Sequence, residues 1–200
     1  MVLRALNFHS QSIANIHLNT LDGSFLSKMG FRFLTSLYSF LICKEVVLVS
    51  LENENVTGFV SFSSDSSKMM KKFFIYSPFC IIRIIGIVIS SPVFIKRIAE
   101  TFTVLFKLKT TQTKMGKVDL PSAELLSISV DPTCQKTGIG KQLLQALEDH
   151  LRENSIKKYK VIAGSTLESA NSFYKKNGFI LVSQVIIHGN DLSNIYVKEL

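Results

Sequence analysis

At 200 residues, 46% of them hydrophobic and with a net charge of +8 at pH 7, the chain is long enough to fold as one domain with a real core. Its three cysteines, Cys43, Cys80 and Cys134, cannot all pair within one chain and lack metal-ligand spacing. They read as reduced thiols in a cytoplasmic protein, with no metal site and no disulfide scaffold. The N-terminus, Met1 to Asn7, has neither a long apolar run nor a small-residue cleavage site, so no signal peptide is expected.

In chain order, a short strand is expected around Val2 to Phe8. Ser10 then caps a helix carrying Ile13, Ile16 and His17. A second helix is expected over Phe25 to Tyr38, where apolar residues recur at helical spacing. Val46 to Leu51 and Val56 to Phe62 read as a hairpin across Glu52-Asn53-Glu54-Asn55. The later elements are a strand at Glu124 to Val130, a helix at Gly140 to Arg152 and a strand near Lys160 to Ala163. A helix at Ser169 to Asn177 and strands at Phe179 to Ile187 and Asn194 to Lys198 close the chain.

Between the hairpin and the strand at Glu124 lies an insert, about 63–121, too long to be a structureless loop and so expected to carry helices. Its apolar run, Phe73 to Ile89, is interrupted by Arg83 and ends at Ser90-Ser91-Pro92, short of the roughly 20 apolar residues that a membrane span needs. The insert also holds most of the net positive charge. Lys68, Lys71, Lys72, Arg83, Lys96, Arg97, Lys107, Lys109, Lys114 and Lys117 face only Asp65, Glu100 and Asp119. Two readings stand: an amphipathic lid that meets an anionic membrane surface or a phosphate-bearing acceptor, or an insert that packs its apolar face and solvates its lysines. No nucleic-acid motif accompanies the charge, so no nucleic-acid partner is expected.

The most informative stretch runs from Leu126 to Lys141. Leu126, Ile128 and Val130 alternate as a strand, and Asp131-Pro132 ends it because proline cannot donate to a sheet ladder. Gln135-Lys136-Thr137-Gly138-Ile139-Gly140-Lys141 then turns into the helix. Gly138 and Gly140 remove Cβ atoms that would hold a phosphate away from main-chain N–H groups, and the helix dipole favours negative charge at that point. A diphosphate fits there. The loop is not a P-loop, since Gln142 follows Lys141. Nor is it a dinucleotide fingerprint, since Leu143 stands where a third glycine would be.

Gln135-x-x-Gly138-x-Gly140 after Val130-Asp131-Pro132 resembles the pyrophosphate loop of the GNAT superfamily, the acetyl-CoA-dependent N-acyltransferases. Ala170-Asn171-Ser172-Phe173-Tyr174-Lys175-Lys176-Asn177-Gly178-Phe179 resembles that family's last helix and following strand. The resemblance implies an α/β fold: a mixed, twisted sheet of about seven strands, splayed beside Val130, flanked by helices, with the insert between the third and fourth strands. It also implies acetyl-CoA as cosubstrate. The pantetheine arm would bond to the main chain at Ile128, Ser129 and Val130, and N–H groups from Lys136 to Lys141 would hold the diphosphate. Gln135, Lys136, Thr137, Gly138, Ile139, Gly140 and Lys141 are thus the cofactor-binding candidates of the loop. The Lys136 and Lys141 side chains either add charge-assisted contacts or are simply solvated. One position departs from the pattern: the asparagine usual three residues before Ala170 is Leu167 here, and Asn171 does not replace it.

Transfer to an amine needs a deprotonated nucleophile, a polarised carbonyl and a proton for the departing thiolate. By the resemblance, Tyr174 supplies that proton and touches the coenzyme, and the Val130 N–H polarises the carbonyl. Glu124 is the candidate base. His9, His17, His150 and His188 are scattered and weaker candidates, and many relatives work with no dedicated base. Asp22-Gly23-Ser24-Phe25-Leu26-Ser27-Lys28-Met29-Gly30, with the basic insert, is similar to acetyltransferases of bacterial surface-polysaccharide synthesis. This implies an amino-sugar acceptor on a nucleotide or lipid diphosphate, met in the cytoplasm or at the inner face of the membrane. A small amine, a protein N-terminus, and a non-catalytic acyl-CoA-binding module remain the alternatives. The sequence says nothing about oligomeric state.

Overall fold

The computed structural model describes residues 1–21, 24–76, 111–113, 116–118, 120–188 and 191–200. Strand β1 (Val2–Arg4) is shorter than expected, because a 3-10 turn at Asn7–His9 follows, in which the Leu6 N–H donates to His9 Nδ1 at 3.0 Å. That turn places His9, not Ser10, at the cap of α1 (Ser10–Thr20), so Ser10 is the first helical residue. The single helix expected over Phe25 to Tyr38 is two, α2 (Phe25–Lys28) and α3 (Phe31–Lys44). The break falls at Gly30, whose φ of 82° lies in the region glycine enters without a Cβ penalty.

Strands β2 (Val46–Glu52) and β3 (Asn55–Ser63) form the expected hairpin. Asn53 and Glu54 both take positive φ, 48° and 66°, the hand that matches the twist of the flanking strands. The insert opens with α4 (Ser66–Tyr76) and carries a hairpin of β4 (Thr111–Thr113) and β5 (Gly116–Val118), where only helices were expected. Cys80, Arg83, Lys96, Arg97, Lys107, Lys109, Lys114 and the apolar run beyond Tyr76 lie outside the described residues. No described helix is long and apolar enough to cross a membrane.

The chain continues through β6 (Glu124–Val130), α5 (Ile139–Glu153), β7 (Lys158–Gly164), α6 (Glu168–Lys176), β8 (Ile180–His188) and β9 (Asp191–Glu199). Seven strands form one mixed sheet in the order β1-β2-β3-β6-β7-β9-β8, with β6 and β7 the parallel pair. Both faces are covered. Val47, Val49 and Phe59 join α1, α3 and α4 through Ile13, Leu34, Leu37 and Phe73, while Leu48, Val60, Phe62, Leu125 and Val161 join α5 and α6 through Leu143, Leu147 and Tyr174. Strands buried on both faces read as near-continuous apolar runs, as β2 does.

Two irregularities in the sheet create the site. Ser61 pairs with Ser127 and Phe62 with Leu125, so Leu126 is an extra residue in β6, a β-bulge. The packing shows the same break: Leu126 meets the α1/α3 core, whereas Ile128 and Val130 meet the α5/α6 core. The bulge coincides with the end of the β6 to β7 ladder, which holds only Glu124 to Lys160 and Leu125 to Val161. Past Leu125 the two strands part, while β7 stays paired to β9 through Gly164.

Gly58 on β3 lets α5 approach this point. A Cβ there would lie 3.0 Å from the Ser129 carbonyl oxygen, 3.1 Å from Leu143 Cδ1 and 3.2 Å from Ile139 Cγ2. The first of these is main chain and cannot swing aside. Gly58→Ala is therefore expected to lower stability by about 1–3 kcal/mol through overpacking, measurable as an earlier urea midpoint at unchanged slope.

Candidate active site

The splayed half of β6 has main-chain groups to spare. The Asp131 N–H donates to the Thr57 carbonyl at 2.8 Å, which makes that pair hydrogen-bonded. Alternation along an antiparallel ladder then directs the Ser129 and Ser127 groups toward β3, and those of Val130 and Ile128 away from it. On that other side β7 has already left, so the N–H and C=O of Ile128 and Val130 face the opening. Of Ile128, Ser129 and Val130, the first and last turn their main chain to this side and Ser129 spends its groups on β3. The Gln135 side chain reaches back to this edge, its Nε2 donating to the Val130 carbonyl at 3.2 Å.

The edge runs into the loop. The Asp131 carboxylate accepts from the Thr133 N–H at 2.9 Å and holds the 3-10 turn Pro132–Cys134, while Thr137 Oγ1 donates to the Cys134 carbonyl at 2.6 Å. Lys136 and Gly138 take positive φ, 63° and 90°, which curls the chain into α5. Gly138 is the N-cap, a Cβ on it would meet nothing within 4 Å, and no side chain caps the helix. The first N–H groups of α5, from Ile139, Gly140 and Lys141, therefore point outward uncapped at the positive end of a 15-residue helix. A Cβ on Gly140 would make only ordinary contact with Phe173, at 3.5 Å, which ties the start of α5 to α6. Lys136 and Lys141 are exposed, and Cys134 is a half-buried free thiol.

Tyr174 lies on α6 with only 6% of its surface exposed, its ring against Phe173, Phe179 and Tyr196. Burial raises the pKa of its phenol above the ordinary tyrosine value, so it keeps its proton at any working pH. Glu124 sits at the closed end of the splay and is also buried. Its Oε2 accepts from Ser66 Oγ at 2.6 Å and pairs with Lys160 Nζ at 3.2 Å, and Lys160 also donates to the Pro121 carbonyl. Leu167, where the family asparagine would stand, is half exposed at the start of α6. Asn171 is a structural residue: it donates to the Gly164 and Leu167 carbonyls and accepts from Asn194 and Tyr196.

The other face of β6 brings together groups that lie far apart in the chain. Ser129 Oγ lies 2.5 Å from Thr20 Oγ1 at the end of α1. His17 Nδ1 lies 2.6 Å from the Tyr38 hydroxyl, and its Nε2 is 3.3 Å from Ser24 Oγ. Burial pushes the His17 pKa down to about 4, so the ring is neutral. His9 is likewise lowered by burial, and His150 lies on α5 beside Asn154. Among the described residues no group of three or more His, Cys, Asp or Glu could hold a metal ion.

Residues 100–181 match the family model described as an acetyltransferase (GNAT) domain. Solved structures agree on the fold. PaiA N-acetyltransferase from Thermoplasma acidophilum, in complex with coenzyme A, is 13% identical with a TM-score of 0.60, covering 100% of this chain and 98% of its own. A ribosomal-protein-alanine N-acetyltransferase from Brucella melitensis is 13% identical at TM-score 0.62, covering 100% and 99%. A GNAT acetyltransferase from Bacillus cereus is 15% identical at 0.59, covering 100% and 96%. No curated protein matches the sequence. The chain has the GNAT fold, and its residues 100–181 match the GNAT acetyltransferase domain.

Proposed function

We propose that this protein transfers an acetyl group from acetyl-CoA to a primary amine. The observation that carries the reading is the opening beside β6, where the main chain of Ile128 and the N–H of Val130 face away from β3 and lead directly to the uncapped N-terminus of α5. A pantetheine arm has amide donors and acceptors that pair with such an edge as a strand would, and a diphosphate suits the helix end. The solved PaiA structure, with the same fold, holds coenzyme A. In this reading Lys136 to Lys141 hold the diphosphate, the Val130 N–H polarises the thioester carbonyl, and Tyr174 protonates the departing thiolate. The amine nitrogen forms the C–N bond as the C–S bond breaks, and its own proton goes to solvent or to a carboxylate.

Glu124 is our candidate for that carboxylate. Its partners make it structural as well, since Glu124→Gln leaves Lys160 buried without its counter-charge. The substitution is expected to cost about 3 kcal/mol of stability. Turnover per folded molecule then decides the base role: a tenfold fall assigns it, and unchanged turnover leaves the proton to solvent.

For the acceptor we favour an amino sugar bearing a diphosphate, as in surface-polysaccharide synthesis. The face of α4 supports this: Lys68, Lys71 and Lys72 are exposed beside Ile75 and Tyr76, while Met69 and Phe73 anchor the helix in the core. Such a face suits a phosphate-bearing acceptor or an anionic inner-membrane surface. Labelled acetyl-CoA offered with amino sugars, polyamines and peptides with free N-termini tests the reading. Label transferred to the amino-sugar set supports it, transfer to either of the others moves the acceptor class, and coenzyme binding with no transfer favours a non-catalytic acyl-CoA module.

A further inference from the structure

The two oxygens of Glu124 have different surroundings. Ser66 Oγ, at the start of α4, gives its one proton to Oε2 at 2.6 Å, and Lys160 Nζ on β7 lies 3.2 Å from the same oxygen. Two donors hold Oε2. Among the described residues nothing donates to Oε1, and none of their buried side-chain nitrogens or oxygens lacks a partner, so Oε1 is reached through the 10% of the side chain that stays exposed. Its lone pairs are free.

Strand alternation fixes the face. Leu125 packs in the α5/α6 core, so Glu124 projects from the opposite face of the sheet, the one on which Leu126 meets α1 and α3 and Ser129 meets Thr20. That side lies away from α5 and its loop. The same carboxylate also closes the base of the insert. Lys160 Nζ donates to the Pro121 carbonyl at 2.6 Å and lies 3.5 Å from that of Ser122, so its three protons are all directed at fixed oxygens. The two ends of the insert also bond to each other: the Ser66 N–H donates to the Ser122 carbonyl at 3.4 Å and Ser122 Oγ to the Ser64 carbonyl at 3.1 Å. Ser66, Glu124 and Lys160 are all buried, so the carboxylate is held in one orientation.

Resting on the acetyl-transfer reading, we propose that Ser66 and Lys160 are positioning residues: they occupy Glu124 Oε2 and so leave Oε1 as the oxygen that takes the acceptor's proton. As the amine nitrogen bonds to the acyl carbon and the C–S bond breaks, one N–H proton passes to Oε1 and the thiolate takes its own from Tyr174. Neither Ser66 nor Lys160 meets the amine. Each acts through the carboxylate, and the first residue of the insert's opening helix thereby helps to set the reaction geometry.

The test is a double-mutant cycle on turnover per folded molecule, using acetyl-CoA and hydroxylamine, a small amine that needs no further acceptor pocket. Ser66→Ala is expected to lower kcat about 3- to 30-fold, with the hydroxylamine KM and acetyl-CoA affinity little changed. Ser66→Thr, which keeps the hydroxyl, should retain the native kcat. Lys160→Met alone would strand a buried carboxylate, so the reference background combines it with Glu124→Gln and removes both charges together. That background should be slow, and Ser66→Ala should slow it no further. An equal fall in both backgrounds would mean packing of α4 alone and overturn the proposal. So would a native kcat in Ser66→Ala, a threonine variant as slow as alanine, or a native protein that binds acetyl-CoA yet transfers nothing to hydroxylamine. A background as fast as the native protein removes Glu124 as the base, and the proposal with it, while acetyl transfer stands. Calorimetry keeps the readings apart, because absence of acetyl-CoA binding by the native protein defeats the acetyl-transfer reading itself.

Discussion

Gly138→Asp is expected to remove acetyl-CoA binding while leaving a folded protein. Nothing lies within 4 Å of the new Cβ, so packing is undisturbed. The φ of 90° strains any residue with a Cβ, at a cost of about 1–2 kcal/mol, though aspartate is among those that tolerate the left-handed region best. That cost is partly offset, because position 138 is the N-cap of α5 and an aspartate there accepts from the first helical N–H groups. The same satisfaction is what defeats the ligand. A carboxylate would occupy the N–H groups and the positive helix end that a diphosphate requires, and would add repulsion between like charges. A fall of at least about 100-fold in affinity by calorimetry follows, equivalent to roughly 2.7 kcal/mol. Gly138→Ala separates the causes, since it carries the backbone strain without the charge and should lose far less. Unchanged affinity in a folded Gly138→Asp would remove the diphosphate from this loop.

The strand at Glu124–Val130 and the helix after it are legible because local signals agree there: alternating apolar residues, Asp131-Pro132 as a stop, and glycines before an amphipathic run. The bulge at Leu126 is not legible. Leu126, Ser127 and Ile128 read as plain alternation, and only the packing of β6 between two cores, with Leu126 on one side and Ile128 on the other, forces the extra residue. The helix break has a local cause in Gly30, but a lone glycine inside a helical pattern is also tolerated, so its positive φ emerges only from the structure. The wall behind β6 was hidden for another reason. Thr20 and Ser129 are 109 residues apart, and His17 and Tyr38 are 21 apart on different helices. Polar residues that far apart carry no pattern. Leu167 and Asn171 show the limit of motif reading in the other direction: asparagine is present on α6, but its amide is spent on the Gly164 turn and on β9.

Tyr174→Phe is expected to lower turnover by about 10- to 1,000-fold with coenzyme affinity nearly intact. The ring would stay where it is, since Phe173, Phe179 and Tyr196 hold it by its edges and faces and phenylalanine fills the same volume. Only the hydroxyl is lost, and in the proposed reaction that hydroxyl acts as the thiolate leaves, so the ground state gives up little. Its acidity follows from burial. The surrounding rings disfavour the phenolate and raise the pKa, so the group stays protonated up to and beyond the ordinary tyrosine value near 10. Two results follow for the pH profile. Below pH 10 the native protein should show no loss of the proposed transfer rate from Tyr174 ionising, so any alkaline limb there belongs to another group. Stability contributed by keeping the phenol neutral is present below the unfolded value near 10 and is lost as pH rises toward the raised folded value. The phenylalanine variant should therefore be slow at every pH without a shifted midpoint, and its alkaline unfolding should begin no earlier than that of the native protein. Equal turnover in the folded variant would make Tyr174 a packing residue and leave thiolate protonation to solvent.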